Sequence, residues 1–246
     1  MWKLSSNLTS NRKRLFIFIL YYIMNIVYFT GILSLLVQVL TGVIDYWVLT
    51  LNIPEAFMLL YELLFMEFIV QVIEFSFYIW MVSRFSLIKN ITPFRYYDWM
   101  ITTPTMLLTF MFYLKFLADQ EHNIKSDSFL TELKNKWKVV LNVLLLNWAM
   151  LLSGYLGELQ TFSYLATTLV GFVPFILMFY IIYKNFAIHT EQGKNIFWYF
   201  VGVWGIYGVA AVLPYKIKNS MYNILDLFAK NFFGLFLAYV LYKAHN

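Results

Sequence analysis

Residues 94–104 read Phe-Arg-Tyr-Tyr-Asp-Trp-Met-Ile-Thr-Thr-Pro, and they place an arginine and an aspartate inside a long apolar run. Asp98, Thr102 and Thr109 are spaced by four and seven residues, so a helix brings them to one face. Pro104 frees a backbone carbonyl, which neighbouring helices must satisfy inside a membrane. A charge at the centre of a bilayer costs at least about 2.5–3.5 kcal/mol on insertion scales, so this stretch predicts a functional site.

The composition is typical of an integral membrane protein. Of 246 residues, 61% are hydrophobic and 13% are charged, whereas soluble domains carry roughly 45–50% and about 25%. Cysteine is absent, which excludes disulfides, thiol catalysis and iron–sulfur clusters. The net charge of +5 includes no basic block in a soluble segment, so we expect no nucleic-acid partner. The three histidines lack metal-ligand spacing, so we expect no metal site.

Seven apolar runs are long enough to cross a bilayer, which takes about 20 residues each. They cover 15–43, 54–82, 92–114, 139–156, 162–183, 196–213 and 220–242. The first run is far longer than the core of a signal peptide, so we expect a retained helix after a basic leader at 1–14. The sequence predicts an all-α membrane protein, a seven-transmembrane-helix bundle that forms one domain over residues 1–246.

The polar segment Asp119–Lys138 separates the third run from the fourth. Within it, Phe129–Trp137 has a mixed amphipathic character. Two interpretations stay open for this stretch: a helix lying on the membrane surface, or a solvated loop.

Lys230 lies about ten residues into the seventh run, too deep for its ammonium group to reach the interface easily. Asp226 precedes it by four residues and therefore shares its helix face. A buried lysine beside a carboxylate suits a protonated Schiff base with its counter-ion. A structural ion pair in a transporter explains the same two residues equally well.

Three motifs together resemble the microbial (type 1) rhodopsins. Residues 94–104 resemble the third helix of that family, with its Arg-Tyr-x-Asp-Trp-x-x-Thr-Thr-Pro pattern. Leu225–Lys230 is similar to the Asp-x-x-x-Lys retinal-attachment site of the seventh helix. Trp204 and Tyr207 are similar to the Trp-x-x-Tyr ring contacts of the sixth helix, although Gly208 stands where the family usually has proline.

This resemblance implies that all-trans retinal is bound to Lys230 as a Schiff base. Asp98 and Asp226 are then its counter-ions, Asp98 is the proton acceptor, and Arg95 closes the extracellular side. Lysine and arginine are equally numerous on the two sides, so their count does not orient the chain. The same resemblance implies that the N-terminus is extracellular. The implied chromophore residues are Lys230, Asp98, Asp226, Trp99, Thr102, Thr103, Trp204 and Tyr207.

The choice between pump and channel depends first on Thr109. Proton pumps of this kind usually carry a carboxylate there, which returns a proton from the cytoplasmic side. Threonine cannot act as that donor near neutral pH, so efficient pumping is not expected.

The second run carries Glu67, Gln71 and Glu74 on one stripe about ten Å long. These side chains must face the bundle interior, because facing lipid would be very costly. They form either a hydrogen-bond network that joins helices or a carboxylate-lined cation path.

The residues predicted to line an ion path are Ser34, Glu67, Gln71, Glu74, Arg95, Asn219 and Asn231. Without Arg95, this combination resembles the first group of viral rhodopsins, described as light-gated cation channels. We therefore expect a retinal-binding, light-gated channel for monovalent cations and protons, and no enzyme. The alternative is a light-driven outward proton pump with Asp98 as acceptor. The expected partners are the lipid bilayer and cations, and a homo-oligomer is an open expectation because family members form dimers, trimers and pentamers.

Overall fold

The computed structural model describes residues 25–246, and within that range seven long helices form a bundle without any β-strand. The helices are α1 (Ile26–Leu49), α2 (Met58–Ser83), α3 (Thr92–Glu121), α4 (Phe129–Glu158), α5 (Tyr164–Asn185), α6 (Glu191–Ala211) and α7 (Tyr215–His245). The predicted all-α seven-helix bundle is confirmed. The leader at 1–14 and the start of the first run lie outside the described residues.

Six of these helices are long and apolar enough to cross a membrane, and α6 is the exception. Its first turn carries Glu191 and Lys194, which form an ion pair at 2.6 Å. These polar residues lower its hydropathy, yet α6 lies between α5 and α7 in the bundle. We name the end of the bundle where α1, α3, α5 and α7 begin the N-side, and the opposite end the C-side.

The first predicted boundary is wrong, because α1 runs to Leu49 instead of ending at Val43 before Asp45. Asp45 is fully buried, and its carboxylate accepts a hydrogen bond from the amide of Gln71 on α2. A charge that faces the interior of the bundle does not end a transmembrane helix.

The connection between α3 and α4 is also shorter than predicted. Helix α3 continues to Glu121 and α4 begins at Phe129, so Phe129–Trp137 is neither a surface helix nor a loop. Lys115 explains the extension, because its ammonium group lies 2.6 Å from Asp119 and 3.3 Å from Glu132. These charges satisfy one another and therefore allow both helices to continue.

Helix α3 lies deepest in the bundle, with two thirds of its most apolar window buried. The carbonyl that Pro104 frees belongs to Met100, and the indole of Trp148 on α4 donates to it at 3.1 Å. Farther along, the ring of Phe110 stacks on Phe200 of α6 with centroids 4.1 Å apart. The apolar core therefore packs around the C-side half of α3.

Helix α7 contains a π-helical turn over Leu227–Asn231, which includes Lys230. The backbone N–H of Phe232 donates to the carbonyl of Leu227, five residues earlier. Tyr199 on α6 donates to the carbonyl of Phe228 at 3.3 Å. Such turns occur frequently at functional sites.

A buried ion pair closes the N-side of the bundle. Lys218 on α7 lies 2.6 Å from Glu158 at the end of α4, and their side chains are 4% and 2% exposed. The ammonium group also lies 4.3 Å from the ring centroid of Tyr164. The pair ties α4 and α5 to α7.

We predict that Glu158→Gln destabilises the protein by about 3–5 kcal/mol, because it leaves the charge of Lys218 buried without a partner. Thermal unfolding of the purified protein measures this loss. The double variant Glu158→Gln with Lys218→Met removes both charges and is expected to recover most of the stability. Equal stability of the single variant and the wild type would contradict the structural role of this pair.

Candidate functional site

Lys230 lies at the centre of a group of buried carboxylates. Its ammonium nitrogen lies 2.8 Å from Oδ2 of Asp98, 3.5 Å from Oε1 of Glu74 and 3.9 Å from Oδ1 of Asp226. All four side chains are at most 2% exposed. We call these four residues the lysine cluster.

Arg95 supplies the second positive charge, one turn of α3 before Asp98. Its guanidinium group is fully buried, and Nη1 lies 3.6 Å from Oδ2 of Asp226. Its Nε donates to Asn219 at 3.1 Å, and its Nη2 donates to Asn223. Arg95 therefore closes the N-side of the lysine cluster with bonds to α7.

Two phenols hold the carboxylate of Asp226. Tyr78 donates to Oδ2 and Tyr207 donates to Oδ1, each at 2.7 Å. By contrast, within residues 25–246 neither carboxylate oxygen of Glu74 has a hydrogen-bond partner, and Oδ1 of Asp98 also lacks one. Asp226 is therefore fixed by the protein, while Glu74 and Asp98 keep free oxygens beside Lys230.

The cluster adjoins a partly open cavity between α3, α4, α5, α6 and α7, with a volume of about 110 Å³. Its wall is mainly apolar and aromatic, and Lys230 and Asp226 contribute charged groups to it. Gly208 lies against the ring of Phe172, where an added Cβ would approach a ring carbon to 2.5 Å. This glycine therefore lets α6 approach α5 closely beside the cavity.

The predicted chromophore residues lie in or beside this cavity. Trp99, Thr103, Trp204 and Tyr207 line it, and the rings of Trp99 and Tyr207 meet edge to face at 5.6 Å. Thr102 is buried, and its hydroxyl donates to the backbone carbonyl of Asp98 at 3.0 Å rather than to the carboxylate.

A long polyene aldehyde bound to an amine needs an apolar, ring-lined space that ends at a lysine with counter-ions. The cavity and the lysine cluster meet these requirements together. The indole nitrogen of Trp204, which also lines the cavity, is buried without a hydrogen-bond partner among the described residues. The residues present therefore fit retinal.

The residues predicted for an ion path divide between the two sides of Lys230. On the N-side, Ser34 donates to the carbonyl of Asn223 at 2.7 Å, and Asn219 contacts Arg95. Glu74 lies at the level of Lys230, where it belongs to the lysine cluster as well as to the predicted path.

On the C-side, the remaining path residues make bonds between helices. Glu67 on α2 accepts a hydrogen bond from Thr109 on α3. Asn231 on α7 donates to Thr41 on α1 at 3.1 Å, and Thr41 donates to Gln71 at 2.8 Å. Together with the N-side contacts, these bonds form a polar column between α1, α2, α3 and α7.

Many buried polar atoms of this column have no hydrogen-bond partner in the part of the chain that the structure describes. Apart from the atoms of Glu74 and Asp98 already named, they are Nε2 and Oε1 of Gln38, Oδ1 of Asp45, Oε2 of Glu67 and Oδ1 of Asn231. Buried polar groups are normally satisfied by protein or by ordered water. The column is therefore a place for water or ions.

Sequence reasoning missed Tyr78, Thr41 and Asp45 as parts of this column. Tyr78 lies four residues after Glu74 and continues the polar stripe of α2. Thr41 and Asp45 follow Gln38 at spacings of three and four, so they also continue one stripe. In both cases the helical spacing was the signal that could have found them.

Comparison with known proteins identifies the family. The model of the family described as bacteriorhodopsin-like protein matches residues 23–244. No curated protein matches the chain. Among solved structures, the viral rhodopsin OLPVRII has a TM-score of 0.76 and 25% identity, over 88% of this chain and 98% of that chain.

Two further structures share the fold. A blue light-absorbing proteorhodopsin from Med12 has a TM-score of 0.68 and 20% identity, over 88% of this chain and 96% of that chain. Xanthorhodopsin, described as a light-driven ion pump with a dual chromophore, has a TM-score of 0.67 and 15% identity, over 87% and 91%. The chain belongs to the bacteriorhodopsin-like family, whose members are retinal proteins of the lipid bilayer that act as light-driven ion transporters or photoreceptors.

Proposed function

We propose that this protein is a light-gated channel for monovalent cations and protons, in which all-trans retinal is bound to Lys230. The observation that supports a channel is the polar column, which extends from Arg95 past the lysine cluster to Glu67 and contains many unpartnered buried atoms. Acidic side chains along such a route replace part of the hydration shell of a cation. We further propose that the chain is not an enzyme and that its N-terminus is extracellular.

Retinal, when bound to Lys230, would supply a polyene that absorbs visible light and isomerises about one of its carbon–carbon double bonds. Asp98 and Asp226 are its proposed counter-ions, because both lie within 4 Å of that nitrogen. Trp99, Trp204 and Tyr207 are proposed to hold the polyene, since their rings line the cavity. The excess of carboxylates keeps positive charge at the nitrogen favourable in a site without bulk water.

Opening is proposed to begin with a proton transfer inside the lysine cluster. Oδ2 of Asp98 is the nearest acceptor for a proton that leaves the lysine nitrogen, at 2.8 Å. The transfer neutralises both groups, so Arg95 loses its attraction to the negative charge of Asp98, one turn away on α3. Arg95 and α7 then rearrange, because Arg95 binds Asn219 and Asn223 of that helix.

Two closures interrupt the column in this structure. On the N-side, the guanidinium group of Arg95 fills the space between α3 and α7. On the C-side, Glu67 is bonded to Thr109, and Asp45 is bonded to Gln71. Passive cation flow requires both closures to open. Divalent ions are expected to be retained, and so to block the flow, where several carboxylates lie together, as in the lysine cluster.

We predict that Lys230→Ala, expressed with retinal, lacks the visible absorption band of the wild type. The reason is that no other buried amine lines the cavity within the described residues. The absorption spectrum of the purified protein is the measurement. Lys115→Ala removes a lysine outside the cavity and is expected to keep the band. An unchanged band in Lys230→Ala would refute retinal attachment at this residue.

For channel function, we predict a photocurrent that reverses sign with voltage in cells supplied with retinal. Its reversal potential is expected to shift when external sodium is replaced by a large organic cation, because the flow is passive and carried by cations. Voltage clamp under illumination measures both quantities. A current that keeps one sign at every voltage would contradict a channel.

Such a one-directional current is the signature of the second candidate function, a light-driven outward proton pump. The observation that favours it is the contact of 2.8 Å between Lys230 and the proposed acceptor Asp98. Thr109 offers no carboxyl on the C-side, but Glu67 is bonded to it and places a carboxyl group there from α2. The voltage dependence of the photocurrent decides between the two functions.

We predict that Glu74→Gln alters the conductance or the cation selectivity while the absorption band is retained. The change removes a charge from the centre of the column, 3.5 Å from the lysine nitrogen. Photocurrents normalised to pigment content are the measurement. Glu62→Gln is the matched control on the same helix, because Glu62 accepts the backbone N–H of Phe129 outside the column. Equal currents in both variants would leave Glu74 with a structural role only.

A further inference from the structure

Asp45 is a fully buried carboxylate without a basic partner in the part of the chain that the structure describes. Its Oδ2 accepts a hydrogen bond from the amide of Gln71, but its Oδ1 has no partner. A buried carboxylate is costly unless a proton or a cation neutralises it. Among the acidic residues of the polar column within residues 25–246, Asp45 is therefore the one that contacts neither Lys230 nor Thr109.

Neutral polar side chains of three helices form a chain of hydrogen bonds that ends at this carboxylate. Gln71 uses its amide nitrogen toward Asp45, while its Oε1 accepts from the hydroxyl of Thr41 at 2.8 Å. Asn231 donates to the same hydroxyl at 3.1 Å and keeps its own Oδ1 unpartnered, although the residue is fully buried. One carboxylate oxygen and one amide oxygen thus lie free in a small, enclosed cluster.

Gly234 brings the backbone of α7 against this cluster. A Cβ at this position would lie 2.8 Å from Oδ2 of Asp45 and 2.8 Å from Nε2 of Gln71. Gly234 lies three residues after Asn231, so α7 presents both to the same face. The cluster is therefore enclosed by α1, α2 and α7, one turn beyond the level of Lys230 on the C-side.

We propose that Asp45, Thr41, Gln71 and Asn231 form a binding site for a monovalent metal cation. This proposal rests on the proposed channel function. The site is the place on the C-side where a permeating ion exchanges bound water for protein oxygens. The carboxylate supplies the charge, and the hydroxyl and amide oxygens complete the coordination. Gln38 lies one turn before Thr41 on the same buried face of α1 and offers a further oxygen without a partner.

The donor set favours a monovalent over a divalent cation. One carboxylate with neutral oxygens balances a single positive charge, whereas calcium sites commonly use several carboxylates. A divalent ion at Asp45 would leave a net positive charge in the low-dielectric interior, which is unfavourable.

Binding is tested in the dark with the retinal-loaded protein in lipid nanodiscs. Sodium chloride is compared with choline chloride at equal ionic strength, and the midpoint of thermal unfolding is measured. A ligand that binds only the folded state raises this midpoint. We expect sodium to raise it by about 2–4 °C in the wild type. Asp45→Asn is expected to abolish the shift.

Two further variants make the result specific. Asp119→Asn is the matched control, because Asp119 is a buried C-side carboxylate already paired with Lys115, and it should keep the sodium shift. Thr41→Val preserves the shape of the side chain while removing one oxygen, and it should weaken the sodium dependence several-fold. This variant tests the site independently if Asp45→Asn does not fold. A wild type without a sodium shift, or an unchanged shift in Asp45→Asn or Thr41→Val, would overturn the site. Stabilisation by calcium chloride but not by sodium would overturn the monovalent assignment.

Photocurrents separate this proposal from the channel proposal. Reversing photocurrents without sodium-dependent stabilisation would refute the site and leave the channel standing. Sodium-dependent stabilisation that is lost in Asp45→Asn, together with a current of one sign only, would refute the channel and leave the cation site standing.

Discussion

The contact between Lys230 and Asp98 is the interaction on which the rest of the interior depends. A buried ammonium group is stable only beside anions, and here three carboxylates lie within 4 Å of it. Arg95 adds a second cation from one turn away on α3. Two positive charges do not balance three carboxylates, so the interior also requires a proton or a further cation.

That imbalance explains why polar side chains extend so far along the bundle. Each charged group needs hydrogen-bond partners, and these come from the neighbouring turns of the same helices. Tyr78 and Tyr207 fix Asp226, Asn219 and Asn223 fix Arg95, and Thr109 meets Glu67. The polar column is thus a consequence of placing charge in the middle of an apolar bundle. The main apolar core packs around the C-side half of α3, with side chains from α2, α4, α5, α6 and α7.

The sequence predicted the fold and the residues around Lys230, because each lies in a motif or at a helical spacing. It did not predict that Glu74 contacts Lys230, since contacts between helices depend on their relative rotation. The sequence also predicts that α1 ends before Asp45, because charged residues usually lie at the edge of the membrane. The buried stripe from Gln38 through Thr41 to Asp45 was the better signal, as periodicity reports which face is buried.

The π-helical turn at Lys230 sets how the two halves of α7 are rotated relative to each other. One extra residue in a turn rotates everything beyond it by about 100° relative to a regular α-helix. The segment before the turn therefore aims Asn219, Asn223 and Asp226 at Arg95. The end of the turn and the segment after it aim Asn231 and Gly234 at α1 and α2. Because Lys230 lies within this turn, a change of the backbone there would rotate these two sets of contacts relative to each other.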